Sequence, residues 1–186
     1  KILITGGAGY LGSILCPLLL DEGYDVTILD NFLYNQSSLL DCCTNKNLTI
    51  IRGDVRDKET VENALKNKDI IIHLAAIVGA PACDLDPNRA KTTNLEATKL
   101  ILSLRTQEQK ILFPCTNSGY GIGEKNKFCT EETPMNPISL YGKNKVESEK
   151  IILDSGNSLS FRFATVFGVS PRMRLDLLVN DFVYRA

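Results

Sequence analysis

The chain has 186 residues, of which 44% are hydrophobic, and its formal net charge at pH 7 is −1. This length predicts a single domain with a full core. The balanced charge and the lack of a basic run argue against a nucleic acid or a membrane surface as a partner. The longest apolar runs, such as residues 18–20 and 70–72, are far too short to span a bilayer, so we expect a soluble protein.

The chain begins with a run rich in β-branched residues, residues 1–5, which leads directly into the glycine-rich segment 6–12. Two glycine spacings in this segment fit a dinucleotide-binding turn: Gly6, Gly9 and Gly12, or Gly7, Gly9 and Gly12. Such a turn needs backbone without Cβ atoms where a pyrophosphate comes close, followed by helix amides that point at its charge. We predict that helix over residues 10–21, bent or locally adapted at Pro17.

The second predicted strand, residues 25–29, ends at Asp30, eighteen residues after Gly12. This position suits an acidic residue that accepts hydrogen bonds from ribose hydroxyls. The same carboxylate repels a 2′-phosphate, and residues 31–38 contain no arginine or lysine to hold one. The segment therefore favours NAD over NADP.

Strand and helix patterns alternate along the rest of the chain. Strands are predicted at residues 49–51, 70–73, 110–115 and 160–164, and helices at 60–66, 89–104 and 138–153. Repeated βα units with short connections imply a parallel sheet covered on both faces, and right-handed crossovers make it doubly wound. The predicted fold class is therefore α/β, with a Rossmann-type sheet whose ligands lie beyond the carboxyl ends of the strands.

Several side chains are predicted to lie at that edge. Asp54, after the third strand, can bond an adenine or cap the next helix, and the small residues 74–76 can let a cofactor lie against the backbone or pack a helix. Short hydroxyl and amide side chains follow the fifth strand at 116–118. His73, the single histidine, ends an apolar strand, so we favour a hydrogen-bonded structural role over that of a general base.

Tyr141 and Lys145 lie four residues apart, and therefore on one face of the predicted helix. A tyrosine is too weak an acid to act as a base near neutral pH, but a fixed neighbouring positive charge lowers the pKa of its phenol. The pair is a candidate proton-transfer centre, in which Lys145 supplies the charge.

The six cysteines include no C-x-x-C pair, and with one histidine the chain is poorly supplied for zinc, so we expect no metal site. Free thiols in a reducing compartment are the simpler interpretation, which predicts a cytoplasmic protein.

Together these motifs resemble the extended short-chain dehydrogenase/reductase family, in particular its sugar-nucleotide epimerases and dehydratases. The resemblance implies Thr116, Tyr141 and Lys145 as catalytic residues. It implies NAD as the cofactor, held by Gly6, Gly9, Tyr10, Leu11, Gly12, Asp30, Asn31, Asp54, Val55, Leu74, Ala75, Ala76, Asn94, Tyr141 and Lys145. It also implies a nucleotide sugar as the substrate, with Asn117 and Ser118 facing it.

The implied reaction is oxidation to a keto sugar, with Tyr141 as the base and Thr116 on the reacting oxygen. Dehydratases that resemble this chain carry an Asp-Glu pair after the threonine, whereas Asn117 and Ser118 stand here. Because neither side chain readily exchanges a proton near pH 7, a 4-epimerase is favoured over a dehydratase. A keto-sugar reductase is the next candidate function, and a non-catalytic dinucleotide-binding sensor or scaffold remains a further alternative.

The substrate side departs from the family pattern. Galactose-type 4-epimerases carry an asparagine for the nucleotide sugar where this chain has Thr165, so substrate binding is expected to be altered. Arg172 and Arg174 can meet a diphosphate or belong to a solvated loop, and Asn180 can contact the same phosphates.

The resemblance also divides the chain. Residues 1–168 are predicted to form the NAD-binding domain, and residues 169–186 the start of a smaller substrate-binding domain that is largely absent from this chain. Related enzymes pair as dimers through the helices predicted here at 89–104 and 138–153, so a homodimer is expected. The apolar stripes of these helices can equally belong to the core.

Overall fold

A computed structural model describes residues 1–123 and 127–186. Six parallel strands form one sheet in the order β3-β2-β1-β4-β5-β6. The strands are β1 (Ile2–Thr5), β2 (Val26–Asp30), β3 (Leu48–Arg52), β4 (Ile70–His73), β5 (Lys110–Thr116) and β6 (Ser158–Phe163). The predicted doubly wound Rossmann-type sheet is confirmed. The strand order reverses between β1 and β4, which places a crevice beyond their carboxyl ends.

The sheet is accompanied by the helices α1 (Gly12–Asp21), α2 (Lys58–Leu65), α3 (Ala80–Leu85), α4 (Pro87–Lys91), α5 (Ala97–Leu104), α6 (Leu140–Asp154) and α7 (Leu178–Arg185). The helix predicted over 89–104 is divided, because a π-helical turn, Thr92–Glu96, separates α4 from α5. The first helix begins at Gly12, which leaves Tyr10 in the glycine turn, and it continues through Pro17. No helix of the described ranges is long and apolar enough to cross a membrane.

Each face of the sheet has its own hydrophobic cluster. Ile2 and Ile4 of β1 pack on one face with α1, whereas Leu3 between them packs on the other with α2, α5 and α6. Both faces are buried, which is why the central strands are apolar without alternation. Ile101 and Ile152 show that the stripes of α5 and α6 contribute to this core. Dimer formation through these helices stays a prediction.

Candidate active site

A cleft of about 540 Å³ opens at the carboxyl ends of the strands. It collects most of the residues predicted from sequence. Those that line it are Gly6, Gly9, Tyr10, Leu11, Gly12, Asp30, Asn31, Val55, Leu74, Ala75, Ala76, Thr116, Asn117, Ser118, Tyr141, Lys145, Thr165, Arg172 and Arg174. Asp54, Asn94 and Asn180 do not line it.

The glycine turn forms the floor of the cleft. Gly6 has a φ of +69°, and a Cβ added to it would lie 2.7 Å from Cα of Ala75. A Cβ added to Gly12 would lie 2.5 Å from Cα of Gly7, so the start of α1 packs directly on the turn. Gly7 therefore serves packing, and the glycines at 6, 9 and 12 are the ones that face the cleft.

The turn also fits a bound pyrophosphate. A Cβ on Gly9 would meet only the carbonyl oxygen of Gly6 within 4 Å, so the open side of this residue faces the cleft. No side chain caps the first turn of α1. Backbone amides at an uncapped helix start attract a phosphate group through hydrogen bonds and the helix dipole. The residues present are those that a dinucleotide cofactor needs at this position.

Asp30 connects the end of β2 to the glycine turn. Its carboxylate accepts hydrogen bonds from the N–H groups of Ala8, at 3.0 Å, and Phe32, at 2.8 Å. A longer bond of 3.5 Å comes from the Gln36 amide. Burial raises the pKa of Asp30, and these hydrogen bonds oppose that rise. A carboxylate has about four acceptor positions, so Asp30 retains capacity for ribose hydroxyls.

Tyr141 and Lys145 lie on the same face of α6, whose start is fixed by the Ser139 hydroxyl accepting the N–H of Gly142 at 3.1 Å. Lys145 is only 4% exposed, and its Nζ lies 3.7 Å from the centroid of the Phe113 ring. Burial lowers the pKa of Lys145 to about 8. Burial likewise raises the pKa of Tyr141 to about 12.

The sequence-based expectation that Lys145 lowers the pKa of Tyr141 is therefore not met in this structure. Desolvation is the largest cause of the raised pKa, since it penalises the phenolate, and the thiols of Cys115 and Cys83 raise the pKa further. The charge that does act to lower the phenol pKa belongs to Arg174. Among the described residues no hydrogen bond joins Tyr141 to Lys145, because the ammonium is directed to the ring of Phe113.

Thr116 ends β5 and turns the chain into the cleft. Its Oγ1 accepts the N–H of Ser118 at 3.2 Å and caps the 3₁₀ turn Asn117–Tyr120. Thr116, Asn117 and Ser118 consequently line the cleft side by side. The neighbouring residue Cys115 also lines the cleft, but its thiol donates to the carbonyl oxygen of Lys145 at 3.7 Å. Burial raises the pKa of that thiol to about 11, which leaves it protonated and a poor nucleophile.

Asp54 and Asn94 have other partners. The Asp54 carboxylate accepts hydrogen bonds from Nε and Nη2 of Arg56, at 2.9 and 2.7 Å. These bonds are the main reason that the pKa of Asp54 falls to about 2. Asn94 is buried in the π-helical turn and bonds the backbone of Ile77 twice, through its Oδ1 at 2.7 Å and its Nδ2 at 2.9 Å. Since Ile77 lines the cleft, Asn94 shapes the wall from behind.

His73 is buried, and both ring nitrogens are engaged. Nδ1 lies 2.7 Å from the Thr5 hydroxyl, and Nε2 lies 3.1 Å from the Thr98 hydroxyl. Burial lowers the pKa of His73 to about 3, so the ring is neutral. The structural role favoured from sequence is confirmed.

Sequence reasoning missed Tyr34, Gln36 and Asp176, which also line the cleft. The guanidinium of Arg172 lies 4.2 Å from the centroid of the Tyr34 ring. These two residues are far apart in the sequence, and no local pattern signals their contact. Asp176 forms an ion pair with Arg174. Tyr34 and Arg172 bring together the loop after β2 and the segment after β6.

The fold and the cleft define the class of protein, a Rossmann-type α/β protein with a glycine turn and a Tyr-Lys pair in one crevice. The chain belongs to the NAD dependent epimerase/dehydratase family, whose model matches residues 2–183.

Individual relatives agree with this family. The chain is similar to the UDP-glucose 4-epimerase of Bacillus subtilis (strain 168), with 30% identity over 187 residues that cover 94% of this chain and 55% of the relative. The UDP-glucose 4-epimerase 3 of Oryza sativa subsp. japonica is 29% identical, covering 96% and 48%. The chain thus spans about half the length of these curated relatives.

Solved structures give the same result. The UDP-glucuronic acid 4-epimerase from Bacillus cereus in complex with NAD has a TM-score of 0.87 and 28% identity, covering 100% of this chain and 63% of that one. The UDP-glucose 4-epimerase from Thermus thermophilus, in complex with NAD, has a TM-score of 0.80 and 29% identity, covering 90% and 56%.

Proposed function

We propose that this chain contains the cofactor-binding and catalytic part of an NAD-dependent 4-epimerase of nucleotide-activated sugars. The observation that carries the proposal is the cleft itself, which brings the glycine turn and Asp30 together with Thr116, Tyr141 and Lys145. Residues 1–168 form the part that binds NAD, and residues 169–186 begin the part that binds substrate. A scaffold that only binds a dinucleotide has no need for a buried lysine, whose burial is costly.

Tyr141 takes the proton from the 4-hydroxyl of the sugar, and the Thr116 hydroxyl bonds the same oxygen. NAD held by the glycine turn and Asp30 would supply a reversible hydride acceptor for the carbon that bears this oxygen. The resulting ketone only has to rotate in the cleft, after which the phenol returns the proton. We expect the nucleotide sugar to lie along Asn117, Ser118 and Thr165, which line the cleft at the ends of β5 and β6 or just beyond them. Arg174 lines the cleft from the longer segment that follows β6 and is expected to contact the same substrate.

Proton removal requires a stronger charge near the phenol than this structure has, since burial raises the pKa of Tyr141 to about 12. Lys145 lies one helical turn away and, with a pKa of about 8, is mostly protonated at neutral pH. Movement of Nζ from the Phe113 ring toward Tyr141 brings that charge to the phenol. Lys145 already lines the cleft, so its amine could also bond the nicotinamide ribose.

Dehydration is disfavoured because it needs a further proton carrier beside Thr116. Within the described ranges, the carboxylates that line the cleft are Asp30 and Asp176, and each has partners of its own. A keto-sugar reductase uses the same catalytic residues and is the second candidate. The relatives are named for UDP-sugars, so UDP-hexoses and UDP-hexuronic acids are the substrates to test first.

The test is a panel of UDP-, GDP-, CDP- and dTDP-sugars supplied with NAD, followed for product stereochemistry in the wild type and in Tyr141→Phe. We expect Tyr141→Phe to lose activity at least about a hundredfold while its affinity for NAD is retained. Tyr24→Phe is the matched control, because Tyr24 is exposed and lies beyond the far end of α1. Full activity in Tyr141→Phe contradicts the proposal. Net consumption of NADH with a keto sugar indicates the reductase instead.

A further inference from the structure

The segment after β6 crosses the cleft to the side of β2. We call residues 168–174 the arginine loop, because it presents Arg172 and Arg174 to the cleft. The guanidinium of Arg172 lies 4.2 Å over the ring of Tyr34, in the loop after β2. Asp30 and Gln36 line the same side of the cleft. Arg172 therefore lies at the end of the cleft where the acidic residue for a ribose is found.

The catalytic residues lie on the other side. Thr116 ends β5, and β5 and β2 are separated in the sheet by β1 and β4. A sugar that reacts at Thr116 and Tyr141 must carry its diphosphate away from the β2 side, because that side is taken by the cofactor's adenosine half. The position of Arg172 over Tyr34 consequently fits the cofactor better than the substrate.

The arginine loop is also attached to the glycine turn. The Tyr10 hydroxyl donates to the carbonyl oxygen of Gly168 at 2.7 Å, and the Ser170 hydroxyl donates to the carbonyl oxygen of Tyr10 at 2.8 Å. Ser170 is buried, and its hydroxyl oxygen lies 3.0 Å from that of Ser13 in α1. The loop is thus held at the pyrophosphate-binding turn.

Asn180 closes the loop from α7. Its Oδ1 accepts the N–H of Gly168 at 2.9 Å, and its Nδ2 donates to the Arg174 carbonyl oxygen at 2.9 Å and to the Tyr10 hydroxyl oxygen at 3.1 Å. Asn180 is buried, so its amide is committed to the loop and not to a substrate phosphate.

The charges of the loop distinguish its two arginines. Arg174 is paired with Asp176 through two of its nitrogens. Arg172 donates through Nη1 to the carbonyl oxygen of Met173 at 2.8 Å. In the described part of the chain it forms no direct ion pair with a carboxylate, although its charge helps to lower the pKa of Asp176. The cluster of two arginines and one aspartate therefore carries a net charge of +1, which Arg172 supplies beside the turn that suits a pyrophosphate.

We propose that Arg172 is a cofactor-binding residue. With Tyr34 it forms a bridge over the adenosine half of the bound dinucleotide, and its guanidinium bonds the dinucleotide's phosphate. Tyr10, Ser170 and Asn180 are positioning residues that hold the arginine loop in place for this contact. This inference depends on the proposed function only in that the cleft binds NAD.

The test is the dissociation constant of NAD, measured by calorimetry for variants of Arg172. We expect Arg172→Gln to raise the dissociation constant about tenfold and to reduce its dependence on ionic strength, and Arg172→Lys to recover part of the loss. Tyr34→Leu should weaken NAD binding about threefold. Combined with Arg172→Gln it should raise the dissociation constant little further, because the two side chains act as one contact. Arg185→Gln, at an exposed surface ion pair, is the matched control.

UDP serves as the competing probe for a substrate role. The inference is overturned if Arg172→Gln binds NAD as tightly as the wild type does. It is also overturned if the variant loses affinity for UDP alone, or loses affinity for UDP and NAD equally. A wild type that binds no NAD overturns the proposed function as well, so the two failures are distinguishable. Equal melting temperatures of Arg172→Gln and the wild type without ligand establish that the variant is folded.

Discussion

The ammonium group of Lys145 lies 3.7 Å from the centroid of the Phe113 ring, in the core between α6 and β5. The ring face attracts the cation, but this attraction does not replace the water that burial removes. As a result the pKa of Lys145 falls to about 8. The protein retains a buried amine at a cost in stability, as is typical of a functional residue.

Lys145→Met is therefore expected to stabilise the fold while removing activity. Methionine is close to lysine in length and carries no charge, so the free energy of unfolding at pH 7 should rise by roughly 1 to 3 kcal/mol. The pKa of Lys145 is lower in the folded chain, about 8, than the ordinary 10.5, so the wild type gains stability as the pH rises through this range. Urea unfolding of both proteins should show a smaller difference in unfolding free energy between variant and wild type at pH 10.5 than at pH 7.

The control is Lys143→Met on the exposed face of the same helix. It should change the unfolding free energy by less than about 0.5 kcal/mol at either pH. A Lys145→Met protein that is less stable than the wild type at pH 7 would show that the charged amine stabilises the core.

His73 should not titrate near neutral pH. It is the only histidine, so its ring C–H signals are unique in a proton NMR spectrum. Because burial lowers its pKa to about 3, these signals should keep constant shifts between pH 5 and pH 8. The unfolded chain binds a proton near pH 6.5, so stability should also decline as the pH falls from 6.5 toward 3. A midpoint near 6.5 in the folded protein would contradict burial as the dominant effect.

Asp30 should determine the choice between NAD and NADP. Asp30→Ser removes the charge that repels a 2′-phosphate, so the ratio of NAD to NADP affinity should fall about tenfold, as measured by calorimetry. Some stability is lost as well, since Asp30 accepts the N–H groups of Ala8 and Phe32. Asp25→Asn is the control, because Asp25 is exposed and lies at the opposite end of β2, just before the strand begins. An unchanged ratio in Asp30→Ser would remove Asp30 from the ribose site.

Local patterns in the sequence predicted most of the fold. The apolar runs at 25–29 and 70–73 became strands on either side of β1 in the buried sheet, since a strand covered on both faces must be continuously apolar. The four-residue spacing of Tyr141 and Lys145 predicted that both lie on one face of a helix, and both belong to α6. The short helix α3 and the π-helical turn were missed, because each depends on contacts outside itself. Cys83 of α3 and Asn94 of the turn both bond the backbone of Ile77.

The amino-acid sequence by itself determined the order of the strands and helices, the glycine turn and the residues available for proton transfer, because these depend on spacing along the chain. Tertiary structure alone decided their electrostatic state and their neighbours. Burial raised the pKa of Tyr141, the opposite of what its spacing from Lys145 predicted, and lowered that of Lys145, since desolvation depends on everything packed around a group. Folding also placed Arg172 on Tyr34, a contact between distant residues that no local pattern encodes.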